Sequence, residues 1–157
     1  MYIFKCISVY IDKNGKLIGI PTGVNPKHGG VTGLDIFFVL EPEYSDEELE
    51  SFLEKVFDTC YSKEYTDDLP FAMQVYSKTK GPASAVKGYQ SIYLNWHDDE
   101  GYTIIPLKPD KRYRGAFESI KSISIKVTLT NKCLPIEKGA LATAFRTAID
   151  IIEKYGN

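Results

Sequence analysis

Tyr10-Ile11-Asp12-Lys13-Asn14-Gly15-Lys16-Leu17-Ile18-Gly19-Ile20-Pro21 is two apolar runs joined by a polar, glycine-bearing turn. Aromatic and β-branched residues on either side of Asn14-Gly15 predict a β-hairpin, because this dipeptide supplies the backbone conformations a tight turn needs. Further on, Leu34-Asp35-Ile36-Phe37-Phe38-Val39-Leu40 predicts a third, nearly continuous apolar strand. A helix opened by Ser45 follows. The same order recurs downstream. Tyr93-Leu94-Asn95-Trp96 leads through Asp98-Asp99-Glu100 into Gly101-Tyr102-Thr103-Ile104-Ile105-Pro106-Leu107, then Ser122 to Leu129 alternates polar and apolar, and a helix follows Pro135. Two copies of strand, strand, strand, helix imply an α/β fold: a central, largely antiparallel or mixed sheet with helices packed against one face, consistent with an internal pseudo-repeat.

The helix after Tyr44 is the most explicit local signal. Ser45 and Glu48 form a capping-box pair, and Asp46 and Glu47 suit the positive end of a helix dipole. Leu49, Phe52, Leu53, Val56, Phe57 and Cys60 then fall on one stripe. The last helix is expected from Pro135 or Ile136 to Tyr155, with Leu141, Ala144, Phe145, Ala148, Ile149, Ile152 and Tyr155 inward and Gly156 as terminator. Within the first copy, residues 21–33 read as an exposed glycine-rich loop. Phe71 to Tyr76 reads as an edge strand or part of a turn, and Ala83 to Val86 as a short helix after Gly81-Pro82.

With 157 residues, 43% of them hydrophobic, the chain can bury a full core and is expected to form one domain over 1–157. Its charge is uneven. Residues 41–68 carry eleven acids against Lys55 and Lys63, a net −9, which leaves +7 on the rest of a chain whose total is −2. An acidic surface offered to a basic partner is one reading, with Glu47, Glu50, Glu54, Asp58, Asp67 and Asp68 as the candidate binding charges; a solvated helix face is the other. No apolar run is long enough to span a membrane and the first residues lack a signal-peptide pattern, so a cytoplasmic location without membrane partners is expected. Cys6, Cys60 and Cys133 are odd in number and far apart, which argues against a disulfide framework and for small buried residues.

Chemistry-bearing constellations are sparse. His28 and His97 sit in polar loops without metal-ligand spacing, and Asp98 and Asp99 beside His97 are accounted for by hairpin-turn composition. Gly29-Gly30 lacks the Gly-Lys-Ser/Thr that completes a phosphate loop. No catalytic residue, metal or cofactor is assigned. Lys108, Lys111, Arg112, Tyr113 and Arg114 offer cations around an aromatic ring, the composition of a single-strand nucleic-acid contact, while Pro106, Pro109, Asp110 and Gly115 explain the segment as an ordinary loop.

Val9-Tyr10-Ile11, the glycine-rich loop, Gly33 to Leu40, Tyr44-Ser45-Asp46-Glu47-Glu48-Leu49, Lys87-Gly88 before a strand, Gly101 to Leu107 and the strand-plus-helix ending together resemble the CdiI immunity superfamily of bacterial contact-dependent growth inhibition systems. The second copy departs from the pattern, reading Leu134-Pro135-Ile136-Glu137-Lys138 where a helix start like that after Tyr44 would repeat. The resemblance implies a non-enzymatic protein that binds and neutralises the C-terminal toxin domain of a cognate delivery protein, often a nuclease. A nucleic-acid-binding or regulatory protein-interaction module is the alternative.

Overall fold

The computed structural model describes residues 4–120, 127–129 and 136–156. β1 (Phe4–Ile11) and β2 (Leu17–Val24) form the expected hairpin, closed by Asp12, whose carboxylate accepts from the Asn14 and Lys16 amides, with Gly15 at φ 90°. β3 (Val31–Gly33) and β4 (Phe38–Leu40) both pair with β2, and α1 (Asp46–Thr59) follows. α2 (Ala72–Ser77) and α3 (Pro82–Ala85) lead to a second hairpin, β5 (Gln90–His97) and β6 (Gly101–Pro109). β7 (Phe117–Ser119) and β8 (Val127–Leu129) both pair with β6, and α4 (Ala140–Tyr155) ends the fold.

The pseudo-repeat is visible in the register. β1 and β5 pair antiparallel along their whole length, from Phe4 opposite His97 to Ile11 opposite Gln90, and each hairpin's second strand lies outside this central pair. On the left, β3 takes the C-terminal end of β2 (22–24) and β4 its N-terminal end (17–19). On the right, β7 takes the C-terminal end of β6 (107–109) and β8 its N-terminal end (102–104). The order β3-β2-β1-β5-β6-β7, with β4 and β8 off the path, is therefore nearly its own image about the β1–β5 seam, and every described pairing is antiparallel.

Side chains on alternate faces of a strand separate two cores. Ile7, Val9 and Ile11 share one face with Leu17, Ile92, Leu94 and Ile104, and there α1 and α4 deposit Leu49, Leu53, Val56, Leu141, Phe145 and Ala148. The opposite face carries Tyr10, Ile18 and Ile20 against Ala72, Met73, Ala85 and Val86 of α2 and α3. Helices thus cover both faces, where the sequence suggested one. β2 is accordingly the doubly buried strand, with only Val24 exposed. Gly19 is required here, since a Cβ would stand 2.6 Å from Val56 and 2.9 Å from Phe52, so a side chain would push α1 off the sheet.

Three expectations are corrected. Leu34 to Leu40 is a strand only at 38–40; Leu34 leaves the ladder to fill the space beside Gly23, where no Cβ intervenes. Pro21, Thr22 and Gly23, expected in an exposed loop, are buried members of β2, and the exposed loop shrinks to the stretch after Val24. Phe71 to Tyr76 is mostly helix: Ala72 and Met73 are buried while Val75 is 45% exposed, a helical rather than alternating pattern that Lys78 ends in the left-handed region. Of the expected 122–129 strand, 127–129 pairs with β6 as β8, and the remainder lies outside the described residues.

Tyr10 anchors the smaller core, edge-on to Phe71, Tyr89 and Phe117 at centroid distances of 5.8–6.5 Å. Burial raises its phenol from the ordinary 10 to about 12. The folded state then holds a proton that the unfolded chain gives up. Its stabilising contribution is complete below pH 10 and is lost as pH rises through about 12. Denaturant titrations across that window are expected to show a smaller loss of stability in Tyr10→Phe than in the wild type.

Candidate functional site

The acidic segment divides between structural and free groups. Ser45 accepts from the Glu48 amide at 3.1 Å, and the Glu48 carboxylate accepts from the Ser45 amide at 3.2 Å, so the capping box forms as expected. With 3.6 residues per turn, Glu47, Glu54 and Asp58 fall on one line opposite the buried stripe, and all three are exposed. Glu50 is rotated from that line toward Phe57 and reaches α4 instead. Its two carboxylate oxygens accept from the backbone amides of Gly139 at 2.8 Å and Ala142 at 3.0 Å.

That contact explains where α4 starts. The sequence placed the start near Pro135 or Ile136, but Gly139 sits at φ 90° and the helix begins at Ala140, with no capping side chain of its own. A carboxylate borrowed from α1 supplies the acceptor and the negative charge that the helix end favours. Asp46 contributes a second bond between the same helices, accepting from Arg146 Nε at 2.7 Å. Arg146 also donates to the Tyr44 carbonyl at 2.9 Å and lies 5.0 Å from the Tyr44 ring centroid. Sequence reading missed Glu50's role because the bond spans 89 residues; Gly139 was the available signal.

Asp67 and Asp68 lie in the irregular segment after α1. Asp67 pairs with Lys27, tying that segment to the loop after β2, and Asp68 accepts from Thr66, a bond that lowers its carboxyl pKa. Both remain exposed. Tyr102, with its ring 5.4 Å from that of Phe57, is raised in pKa first by burial and then by Glu54, Asp58 and Glu50, so the acidic row lies close enough to be felt on β6.

Among the described residues, the cysteines, the histidines and Arg112 are engaged in structural contacts. Cys6 and Cys60 are buried; Cys60 Sγ donates to the Cys6 carbonyl at 3.3 Å, and burial pushes its thiol pKa up, away from thiolate chemistry. His28 Nδ1 accepts from the Gly30 amide at 3.1 Å within its own loop. His97, Asp98 and Asp99 place ligand-type atoms within 4.8 Å of one another, the donor set of a hard or borderline cation. In the structure His97 Nδ1 instead contacts the two carboxylates, Asp98 at 3.3 Å and Asp99 more closely. Arg112 of the basic loop is held by Asp110 at 3.1 Å and Glu118 at 3.4 Å. No helix among the described residues is long and apolar enough to cross a membrane.

No protein-family model matches the chain, and no curated protein matches it. Solved structures do. A protein of unknown function from Neisseria meningitidis superposes with a TM-score of 0.65 at 13% identity, covering 94% of each chain. A chain of the CdiA-CT/CdiI toxin and immunity complex from Yersinia pseudotuberculosis superposes with a TM-score of 0.58 at 14% identity, covering 92% of this chain and 97% of that one. At these identities the likeness establishes a shared fold over nearly the whole length of both partners.

Proposed function

We propose that this chain is an immunity protein that binds and neutralises the C-terminal toxin domain of a contact-dependent growth inhibition system in the cytoplasm, the toxin being a nuclease. The single observation that carries the reading is the near-full-length fold likeness to a chain of a toxin and immunity complex. It is supported by the use of Cys6, Cys60 and Arg112 as structural contacts, which fits a stoichiometric binding protein better than a catalyst.

The proposed docking charges are Glu47, Glu54 and Asp58 in one exposed row on α1, with Asp67 and Asp68 exposed in the segment that follows it, while Glu50 acts by holding α4 in place. A nuclease surface that binds phosphates is basic, and opposite fields accelerate encounter. The combined variant Glu47→Lys, Glu54→Lys and Asp58→Lys is expected to slow association with the toxin domain about tenfold at low salt, with an unchanged melting temperature. Stopped-flow mixing measures this, and an unaltered rate in a folded variant would move the interface off α1.

A further inference from the structure

We propose that the cleft between α3 and the β6–β7 loop is a second docking site, built for an extended, carboxylate-rich segment of a partner protein. This inference stands independently of the toxin-binding reading. The cleft encloses about 360 Å³ between Val86 and Lys87 on one side and Pro109, Arg114 and Phe117 on the other. Val86, Pro109, Ala116 and Phe117 give it apolar lining, Lys87 and Arg114 are its cations, and Asp110, already paired with Arg112, is its one acid. Lys87 and Arg114 are exposed, and neither forms an ion pair with a described residue.

The loop that makes one wall is ordered in advance. Asp110, with a side chain only 8% exposed, takes the Arg112 guanidinium at 3.1 and 3.2 Å and the Arg112 amide at 2.8 Å, while the Asp110 amide donates to the Ala116 carbonyl at 2.9 Å. Gly115, at φ 82°, lets the loop press onto α3: a Cβ there would meet Ala83 Cα at 2.8 Å. A surface held this way loses little conformational entropy on binding. At its tip Tyr113 is 63% exposed, the most exposed large apolar side chain among the described residues, with the Arg112 guanidinium 5.6 Å from its ring centroid. Tyrosine and arginine are residues on which protein interfaces concentrate their energy.

Charge selects the partner. Lys87, Lys108, Lys111, Arg112 and Arg114 against Asp110 and Glu118 leave this patch at +3, on a chain whose 41–68 segment is −9. Nucleic acid is disfavoured because it needs a row of free cations along its backbone, and here Arg112 is already neutralised while the molecule as a whole is anionic. A short run of aspartate and glutamate needs only the two free cations and an apolar rest between them. Val86 and Phe117 belong to the core opposite the one that seats α1, so the cleft and the acidic helix face opposite sides of the sheet and can be occupied together.

Fluorescence anisotropy of the full chain with labelled hexaglutamate, a labelled peptide alternating glutamate and leucine, and labelled oligouridine tests this. Both peptides are expected to bind, with affinity falling about tenfold between roughly 20 mM and roughly 300 mM salt. The combined variant Lys87→Glu and Arg114→Glu is expected to lose about tenfold or more of that affinity, whereas Lys154→Glu, on α4, is neutral. The alternating peptide is expected to bind more tightly than hexaglutamate, a gain that Tyr113→Ala removes. Absence of salt-sensitive peptide binding, tighter binding of oligouridine than of either peptide, or unchanged affinity in a Lys87→Glu, Arg114→Glu variant with wild-type melting temperature would each overturn the proposal.

Discussion

Phe145→Ala is expected to destabilise the protein by about 3–5 kcal/mol and to lower its melting temperature by about 6–20 °C. Phe145 is fully buried on α4 in the core that also holds Leu53 and Val56 of α1 and Ile104 of β6. Removing the ring leaves a cavity where two helices and the sheet meet, and neighbours fixed by the β5–β6 ladder cannot collapse into it freely. Such a loss is a large share of the roughly 5–15 kcal/mol that typically separates folded from unfolded domains. The binding surface would then fail through loosening of the fold. Parallel denaturant titrations and toxin-binding assays separate the two effects: at low temperature, where the variant is folded, affinity recovers, while an affinity loss without a stability loss would contradict the assignment of Phe145 to the core.

The second large effect is a contrast between neighbours on one helix. Glu50→Lys removes two charge-assisted bonds to the α4 amides and places a cation at the positive end of that helix, with an expected cost of about 2–4 kcal/mol. Glu54→Lys, one turn on and fully at the surface, is expected to leave the unfolding midpoint unchanged. Glu50→Gln keeps one carbonyl acceptor but not the charge, and is expected to fall between the wild type and Glu50→Lys. Chemical denaturation of the three variants measures the difference, and equal midpoints for Glu50→Lys and Glu54→Lys would show that the contact does not hold α4.

The contrast also marks where sequence reading succeeds and fails. The start of α1 was legible to the residue, and its inward face with it, because a capping box and a stripe of apolar side chains are written within one segment, and the pairs they imply are three or four residues apart. The hairpins were legible for the same reason, Asp12 and Gly15 closing the turn locally. β4 and α2 were misread because short apolar stretches such as Phe71 to Val75 fit either period, and the decision falls to the sheet face they meet. The charge of the acidic segment was plain, but not its division of labour: Glu47, Glu50 and Glu54 are alike in sequence, and only the position of α4 makes Glu50 a cap. The α3 cleft was invisible for the same reason, since Lys87 and Arg114 come together only through the close approach of Gly115 to Ala83.

The most direct measurement of the central claim is a titration of toxin activity. If the proposal holds, a delivery protein is encoded beside this chain's gene; its C-terminal toxin domain is held at fixed concentration, and toxin activity is followed as the purified chain is added. Activity is expected to fall linearly to zero at one chain per toxin, with the two recovered intact as a complex by size-exclusion chromatography. Full activity at a large excess of the folded chain would contradict the account, as would inhibition by a small fraction of an equivalent with the toxin chemically altered.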